Sequence, residues 1–245
     1  MSSAVVVGAS SGVGRALAER LATEGFDLVL VARDSRDLEA TASDLRLRFG
    51  HRCSFVVADI SRVDWSVTAF LAECLSRLGP IDCLMVPAGG VSPDDLGANP
   101  DVINGVSLGN FVGPARLAAA FGRAMAERGR GSVVLFSSIA AAAPRRRNAA
   151  YSAAKAALET YAKALRHALE SKGVQVLVIA LGYVDTRQSY GMRLLFPIAR
   201  PDAVAGFVVR AARGRGGKRY YPWFWWWITT LLRVLPWRVY SRLSF

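Results

Sequence analysis

The sequence predicts an α/β fold, one doubly wound parallel sheet with helices on both faces, followed by an amphipathic aromatic and basic tail. Three observations predict it. The chain has 245 residues, enough for one large domain, and 52% of them are apolar, with 22 glycines among the rest; this suits a parallel sheet buried on both faces. Apolar runs at 4–7, 27–31, 54–58, 81–86, 132–136 and 174–180 alternate with helical stretches, such as the one at 35–49. The first run meets Gly8-Ala9-Ser10-Ser11-Gly12-Val13-Gly14 just before an amphipathic helix. Strand, glycine turn and helix form the context of a dinucleotide-binding loop.

In that turn Gly8, Gly12 and Gly14 let the backbone approach a pyrophosphate, whose charge the helix N-terminus stabilises. Ser10, Ser11 and Val13 fill the loop between them. The second run ends in Ala32-Arg33, where an NAD-preferring enzyme usually places a carboxylate on the ribose 2′-hydroxyl. Ala32 cannot do this, whereas Arg33 can pair with a 2′-phosphate. NADPH/NADP is therefore expected over NAD, and a solvated surface arginine is the alternative. After the third run, Asp59 can cap a helix beginning near Ser61.

The chemistry concentrates between Ser137 and Lys155. Residues 132–136 end in Ser137 and Ser138, a loop carrying Arg145, Arg146 and Arg147 follows, and a helix opens on Tyr151 with Lys155 one turn on. Positions i and i+4 share a helix face. An ammonium there lowers the phenol from its reference pKa of about 10. A phenol so tuned passes a proton near neutral pH, worth roughly 10²–10⁴ in rate. Alone, such a pair is an ordinary feature of a helix face.

In company with the serine pair and the glycine turn, it resembles the short-chain dehydrogenase/reductase family over nearly the whole chain. The resemblance implies a Rossmann-type sheet and a catalytic set of Ser138, Tyr151, Lys155 and Asn110. Asn110-Phe-Val-Gly113 resembles the family's Asn-x-x-Gly helix, where a kink exposes a carbonyl that holds a water against the lysine. Asn104, the competitor, has no glycine at that distance. For the cofactor, the resemblance implies that Asp59, with Ile60 beside it, contacts the adenine, and that Tyr151 and Lys155 reach the nicotinamide side. Val86-Pro87-Ala88-Gly89 keeps the small residues of the family's Asn-Asn-Ala-Gly but neither asparagine. Ala88 and Gly89 still let the backbone pass the cofactor. Leu181-Gly-Tyr-Val184-Asp-Thr186 resembles Pro-Gly-x-x-x-Thr with leucine for proline, placing the Val184 backbone and Thr186 at the carboxamide and phosphates. Residues 188–198 suit a lid, and Met192, Leu194, Leu195 and Phe196 suit either an apolar substrate or the core. Alanines 153, 154, 156 and 157 fit pairing through this helix into a homodimer or homotetramer, although alanine is also the best helix former.

Charge and aromatics set the tail apart. The net charge is +12, and no acidic residue follows Asp202, while eight basic ones do, from Arg210 to Arg242. Five of the six tryptophans lie beyond Tyr220. The expected division is a catalytic domain at 1–219 and a tail at 220–245. The uncharged run 220–232 is too short to span a bilayer, which takes about 20 helical residues. Pro222 suits a helix start, and Pro236 breaks the helix. Arg233, Arg238 and Arg242 can snorkel while tryptophans occupy a headgroup layer. A membrane-surface contact through 210–245 is favoured over a subunit or lid contact, and nucleic acid comes last.

Cys53, Cys74 and Cys83 lack metal-ligand spacing, no metal site is expected, and Met1-Ser-Ser leads directly into a strand. A cytoplasmic setting, at the inner face of the membrane, is expected. Ser-Ser-x-Ala-Ala, Arg-Arg-x-Asn and the Trp/Arg tail are similar to a subgroup that reduces a keto sugar on a polyprenyl phosphate. There Arg145–Arg147 would meet the phosphate; a solvated loop is the alternative. The expected activity is NADPH-dependent reduction of a carbonyl on a hydrophobic or lipid-linked substrate. A reductase of 3-oxoacyl or steroid-like ketones is the first rival. A non-catalytic NADPH-binding redox sensor is the second, and the complete Ser-Tyr-Lys-Asn set argues against it.

Overall fold

The computed structural model describes residues 2–92, 95, 99–144, 148–186 and 196–243. Seven strands form one parallel sheet: β1 (Ser3–Val7), β2 (Asp27–Ala32), β3 (Cys53–Val57), β4 (Cys83–Val86), β5 (Gly131–Ser138), β6 (Val174–Leu181) and β7 (Gly217–Tyr221). Their order is β3-β2-β1-β4-β5-β6-β7. Alternation along β1 explains the layering. Ala4 and Val6 join a core with α1 (Gly12–Thr23), α2 (Ser35–Phe49) and α7 (Pro201–Ala212). Val5 and Val7 join the opposite core with α3 (Val67–Leu78), α5 (Gly113–Glu127) and α6 (Ala149–Leu169). With both faces covered, the strands read as continuous apolar runs. The strand order reverses at β1, between β2 and β4, and the crevice beyond their C-terminal ends is where such sheets bind ligands.

Three local expectations are corrected. The helix after Asp59 starts at Val67, capped by the Ser66 hydroxyl on the Ala69 amide at 3.2 Å. Asp59 instead closes its own turn, accepting from the Ser61 amide (3.0 Å) and hydroxyl (2.5 Å). The helix α6 opens at Ala149, two residues before Tyr151.

The third correction concerns the tail. Its uncharged run is divided between β7, paired with β6 from Leu177↔Gly217 to Leu181↔Tyr221, and the helix α8 (Trp225–Val234). A short helix α9 (Trp237–Tyr240) follows. Among the described residues, no helix is long and apolar enough to cross a membrane.

Candidate active site

The glycine turn is built by contact. A Cβ on Gly14 would lie 1.9 Å from the Gly8 carbonyl oxygen, and one on Gly8 would lie 3.2 Å from the Ala88 Cα. The ends of β1 and β4 therefore approach as closely as backbone allows. Gly12 has φ +51° and faces the Thr186 methyl, so the loop after β6 borders the turn. The Ser11 carbonyl accepts the Arg15 amide as α1 begins, and Ser11 caps nothing with its side chain. This leaves the first amides of α1 facing a cleft bounded by Ala88 and Thr186, a cradle suited to a pyrophosphate. Ser10 is partly buried in the turn, and Val13 is buried under it. Arg33 stands exposed at the end of β2. Partial burial pushes the Asp59 carboxyl up, but the Ser61 bonds and the Arg33 and Arg62 charges outweigh it and hold the group below the usual carboxylate range.

At the other end of the cleft, α6 carries Tyr151 and Lys155, both buried. The Lys155 Nζ lies 5.6 Å from the Tyr151 ring centre and donates to the Phe136 carbonyl at 2.9 Å. Burial pushes the Lys155 ammonium down to about 8. Tyr151 packs with Ala140 and Val106, and Ala140 donates its amide to the Ser138 Oγ at 3.2 Å. Ser138, at the end of β5, is thus tied to the residue on which the ring packs.

Asn110 lies in a π-helical turn, Leu108–Val112, between α4 (Asp101–Ser107) and α5. Its Nδ2 donates to the Val106 (2.9 Å) and Gly90 (2.8 Å) carbonyls, and its Oδ1 accepts the Gly90 amide at 3.0 Å. The loop after β4, lacking the usual asparagines, is braced from Asn110 instead. Gly89 lies under both groups, since a Cβ there would meet the Asn110 Oδ1 at 2.4 Å and the Lys155 Nζ at 3.2 Å. Gly113 lets the helix rest on the Ile60 carbonyl, 2.5 Å from where its Cβ would be.

The comparisons agree with this fold. Residues 2–193 match the short chain dehydrogenase family. The chain belongs to that family. An uncharacterised oxidoreductase of Mycobacterium tuberculosis is 33% identical over 246 residues, covering 98% of this chain and 96% of that one. The very-long-chain 3-oxoacyl-CoA reductase of Neurospora crassa is 30% identical over 90% of this chain and 69% of its own. A short-chain dehydrogenase from Sphingobium yanoikuyae, solved in complex with NADPH, superposes with a TM-score of 0.83 at 25% identity, covering 100% of this chain and 97% of that one. As a short-chain dehydrogenase, the protein is an NAD(P)-dependent oxidoreductase.

Of the candidate residues, Tyr151, Lys155, Ser138, Asn110, Gly89 and Ala88 surround one end of the cleft. Gly12, Gly14 and Thr186 meet in its middle, and Arg33 and Asp59 lie together at the far end. The Val184 backbone bridges to Ala199 below the cleft. Arg145–Arg147 and the lid positions 188–195 lie outside the described residues.

Asp95 was not foreseen. Buried, it accepts the Ala150 amide at 3.1 Å and the Tyr151 amide at 2.9 Å, capping α6 from a loop 55 and 56 residues upstream. Glu159 was not foreseen either. It stands one turn beyond Lys155 and accepts the Ser137 hydroxyl at 2.7 Å. The i+4 spacing that picks out Lys155 also picks out Glu159.

Proposed function

We propose that the protein is an NADPH-dependent reductase of a carbonyl on a hydrophobic or lipid-linked substrate. The observation that carries this reading is a connected set at the end of a glycine cradle: Lys155 lies beside Gly89 and the Tyr151 ring, and Ser138 is bonded to the Ala140 that packs on Tyr151. A nicotinamide nucleotide suits that cradle, because Gly8 and Gly14 let the turn close tightly on the Ala88 backbone and on itself, and Gly12 keeps clear the side that faces Thr186. When bound, it supplies the hydride. Gly12, Gly14, Ser10 and Ser11 would hold its phosphates, Arg33 a 2′-phosphate, Asp59 and Ile60 its adenine end, and Val184 and Thr186 its carboxamide end.

The chain's own residues do the rest. Tyr151 delivers a proton to the carbonyl oxygen. Ser138 hydrogen-bonds that oxygen and stabilises its developing charge. Lys155, still mostly cationic at pH 7 with a pKa of about 8, favours the Tyr151 phenolate left behind. Asn110 holds the loop after β4 in place and frees a carbonyl in its π-turn for a water on the proton path.

The substrate's character comes from the C-terminal surface. Eight of the fifteen large apolar side chains exposed among the described residues lie between Trp223 and Leu243, with Trp223 at 71% and Trp237 at 75% exposure. Exposed aromatic patches of this kind mark a partner surface. Arginines with no acidic residue among them favour an anionic lipid headgroup layer. Arg213, Lys218 and Arg233 are engaged with Glu24 and Glu159, so Arg238, Arg242 and the exposed apolar side chains of 223–243 supply most of the contact. Within the family, the tail and the Arg-Arg-x-Asn run resemble the reductase subunit of decaprenylphosphoryl-ribose 2-epimerase, which points to a polyprenyl-phosphate keto sugar as the substrate class.

The test is NADPH oxidation with a panel of apolar ketones and lipid-linked keto sugars, with NADH run in parallel. The expected result is turnover favouring NADPH and a loss of roughly 10²–10⁴ in Tyr151→Phe. Tight NADPH binding with no turnover of any carbonyl would favour the redox sensor.

A further inference from the structure

We propose that Glu159 is a positioning residue that sets Ser138 against Tyr151 and ties this alignment to α8. The inference rests on the assignment of Ser138, Tyr151 and Lys155 as the reacting set. Two consecutive residues of β5 are pinned to α6 by side chains one helical turn apart. Lys155 holds the Phe136 carbonyl at 2.9 Å, and Glu159 holds the Ser137 hydroxyl at 2.7 Å. Ser138 is the next residue along. Pairing with β6, Ser137↔Ala180 and Ser138↔Leu181, fixes the strand sideways. The two ties to α6 fix its height against the face that carries Tyr151.

The environment of Glu159 makes it more than a surface charge. Its side chain is 14% exposed, and Ser137 is buried. A carboxylate so enclosed needs a cation. Two come from the C-terminal region: the Lys218 Nζ on β7 lies at 2.6 Å and the Arg233 guanidinium on α8 at 3.9 Å from the same oxygen. One carboxylate oxygen therefore faces the catalytic strand while the other faces the last strand and the tail helix. A change in how α8 sits reaches Ser138 through a single side chain.

The experiment uses the full chain, NADPH and phenanthrenequinone as a hydrophobic carbonyl probe, with NADPH binding followed by its fluorescence. Ser137→Ala and Glu159→Ala are each expected to lower kcat about tenfold, because sub-ångström misplacement of a reacting group is costly. The KM for the probe and the Kd for NADPH should stay within about twofold. The double variant should be no slower than either single one, the mark of one shared interaction. Glu159→Gln, whose amide oxygen still accepts the Ser137 proton but whose NH2 cannot pair with Lys218 or Arg233, should recover part of kcat, to a level below that of Arg233→Gln. Arg233→Gln should lower kcat about twofold, since Lys218 remains. Unchanged kcat in both alanine variants, additive losses, or kcat, KM and Kd deteriorating together would each overturn the proposal. An unchanged kcat in Arg233→Gln would remove the link to α8. Ser137→Ala deletes one oxygen, so it reports even if Glu159→Ala fails to fold. Tyr151→Phe, run alongside, separates the two levels: full turnover there sinks the site assignment itself, while an inactive Tyr151→Phe beside fully active Ser137→Ala and Glu159→Ala sinks only the role of Glu159.

Discussion

In the proposed mechanism, Lys155 trades stability for chemistry. Its native value of about 8 lies below the ordinary 10.5 because burial opposes the charge. Between those values the unfolded chain binds the extra proton, so stability rises with pH across that window, and the burden is full below about 8. At pH 7 that burden is on the order of 3 kcal/mol, largely offset by the bond to Phe136, worth about 2 kcal/mol because its donor is charged. Lys155→Met is therefore expected to raise the melting temperature at pH 7 by about 3 °C, with the gain shrinking toward pH 10. Turnover should fall by roughly 10²–10⁴ in the same variant. Calorimetry and the NADPH assay check the two halves, and a lowered melting temperature would show that the Phe136 bond outweighs the burial. In the unsubstituted enzyme, turnover should decline as pH rises through about 8, where the ammonium is lost.

At the scale of elements, α6 carries most of the site, and its parts differ in how readable they are. Tyr151 and Lys155 are legible because four residues make a helical turn, and Ser138 is legible because a strand of apolar residues ends there. The cap of α6 is not. Asn148, the residue just before the helix, makes no side-chain cap, and Asp95 arrives through a loop whose path no local spacing encodes. Asp95→Ala should cost about 1–2 kcal/mol in urea unfolding, and Asp95→Asn, which keeps an acceptor for one amide, should recover about half. A loss below about 0.5 kcal/mol would show that the first turn of α6 is held by packing alone. The strand β7 is illegible for a different reason. Gly217-Lys-Arg-Tyr-Tyr221 is short and partly exposed along its length, and only pairing with β6 makes it a strand. Its aromatic end merges with the tail in any reading by composition. Asp59 is a similar case, an acceptor for Ser61 in its own turn where a helix start looked natural.

For the whole molecule, the tail is docked onto the catalytic unit as well as exposed. Trp225 is buried against Gly182 and Tyr183, and the Tyr240 hydroxyl donates to the Pro144 carbonyl at 2.5 Å. Removing everything after residue 218 would also take most of β7 and the Arg233 contact to Glu159, so substitution tests the surface more cleanly. Intact protein is expected to co-sediment with phosphatidylglycerol vesicles, less with neutral ones, and less again as salt rises, because arginine contacts are screened. The triple variant Trp223→Ser, Trp227→Ser, Trp237→Ser should stay in the supernatant while its NADPH binding is unchanged. If it sediments like the parent, the patch meets another subunit instead.

The placement of the tryptophans also makes the protein its own optical reporter. Five of the six indoles belong to the tail. Trp225 alone among those five is sealed against the loop that borders the cleft, while Trp223, Trp227 and Trp237 face outward. Excitation of the intact chain thus reads two events in separate ways. If nucleotide binds as proposed, energy transfer to the nicotinamide would dim the sealed indole, and if the tail meets lipid as proposed, loss of water around the outward indoles would shift their emission to the blue. Both proposals can be followed in one cuvette, without a label.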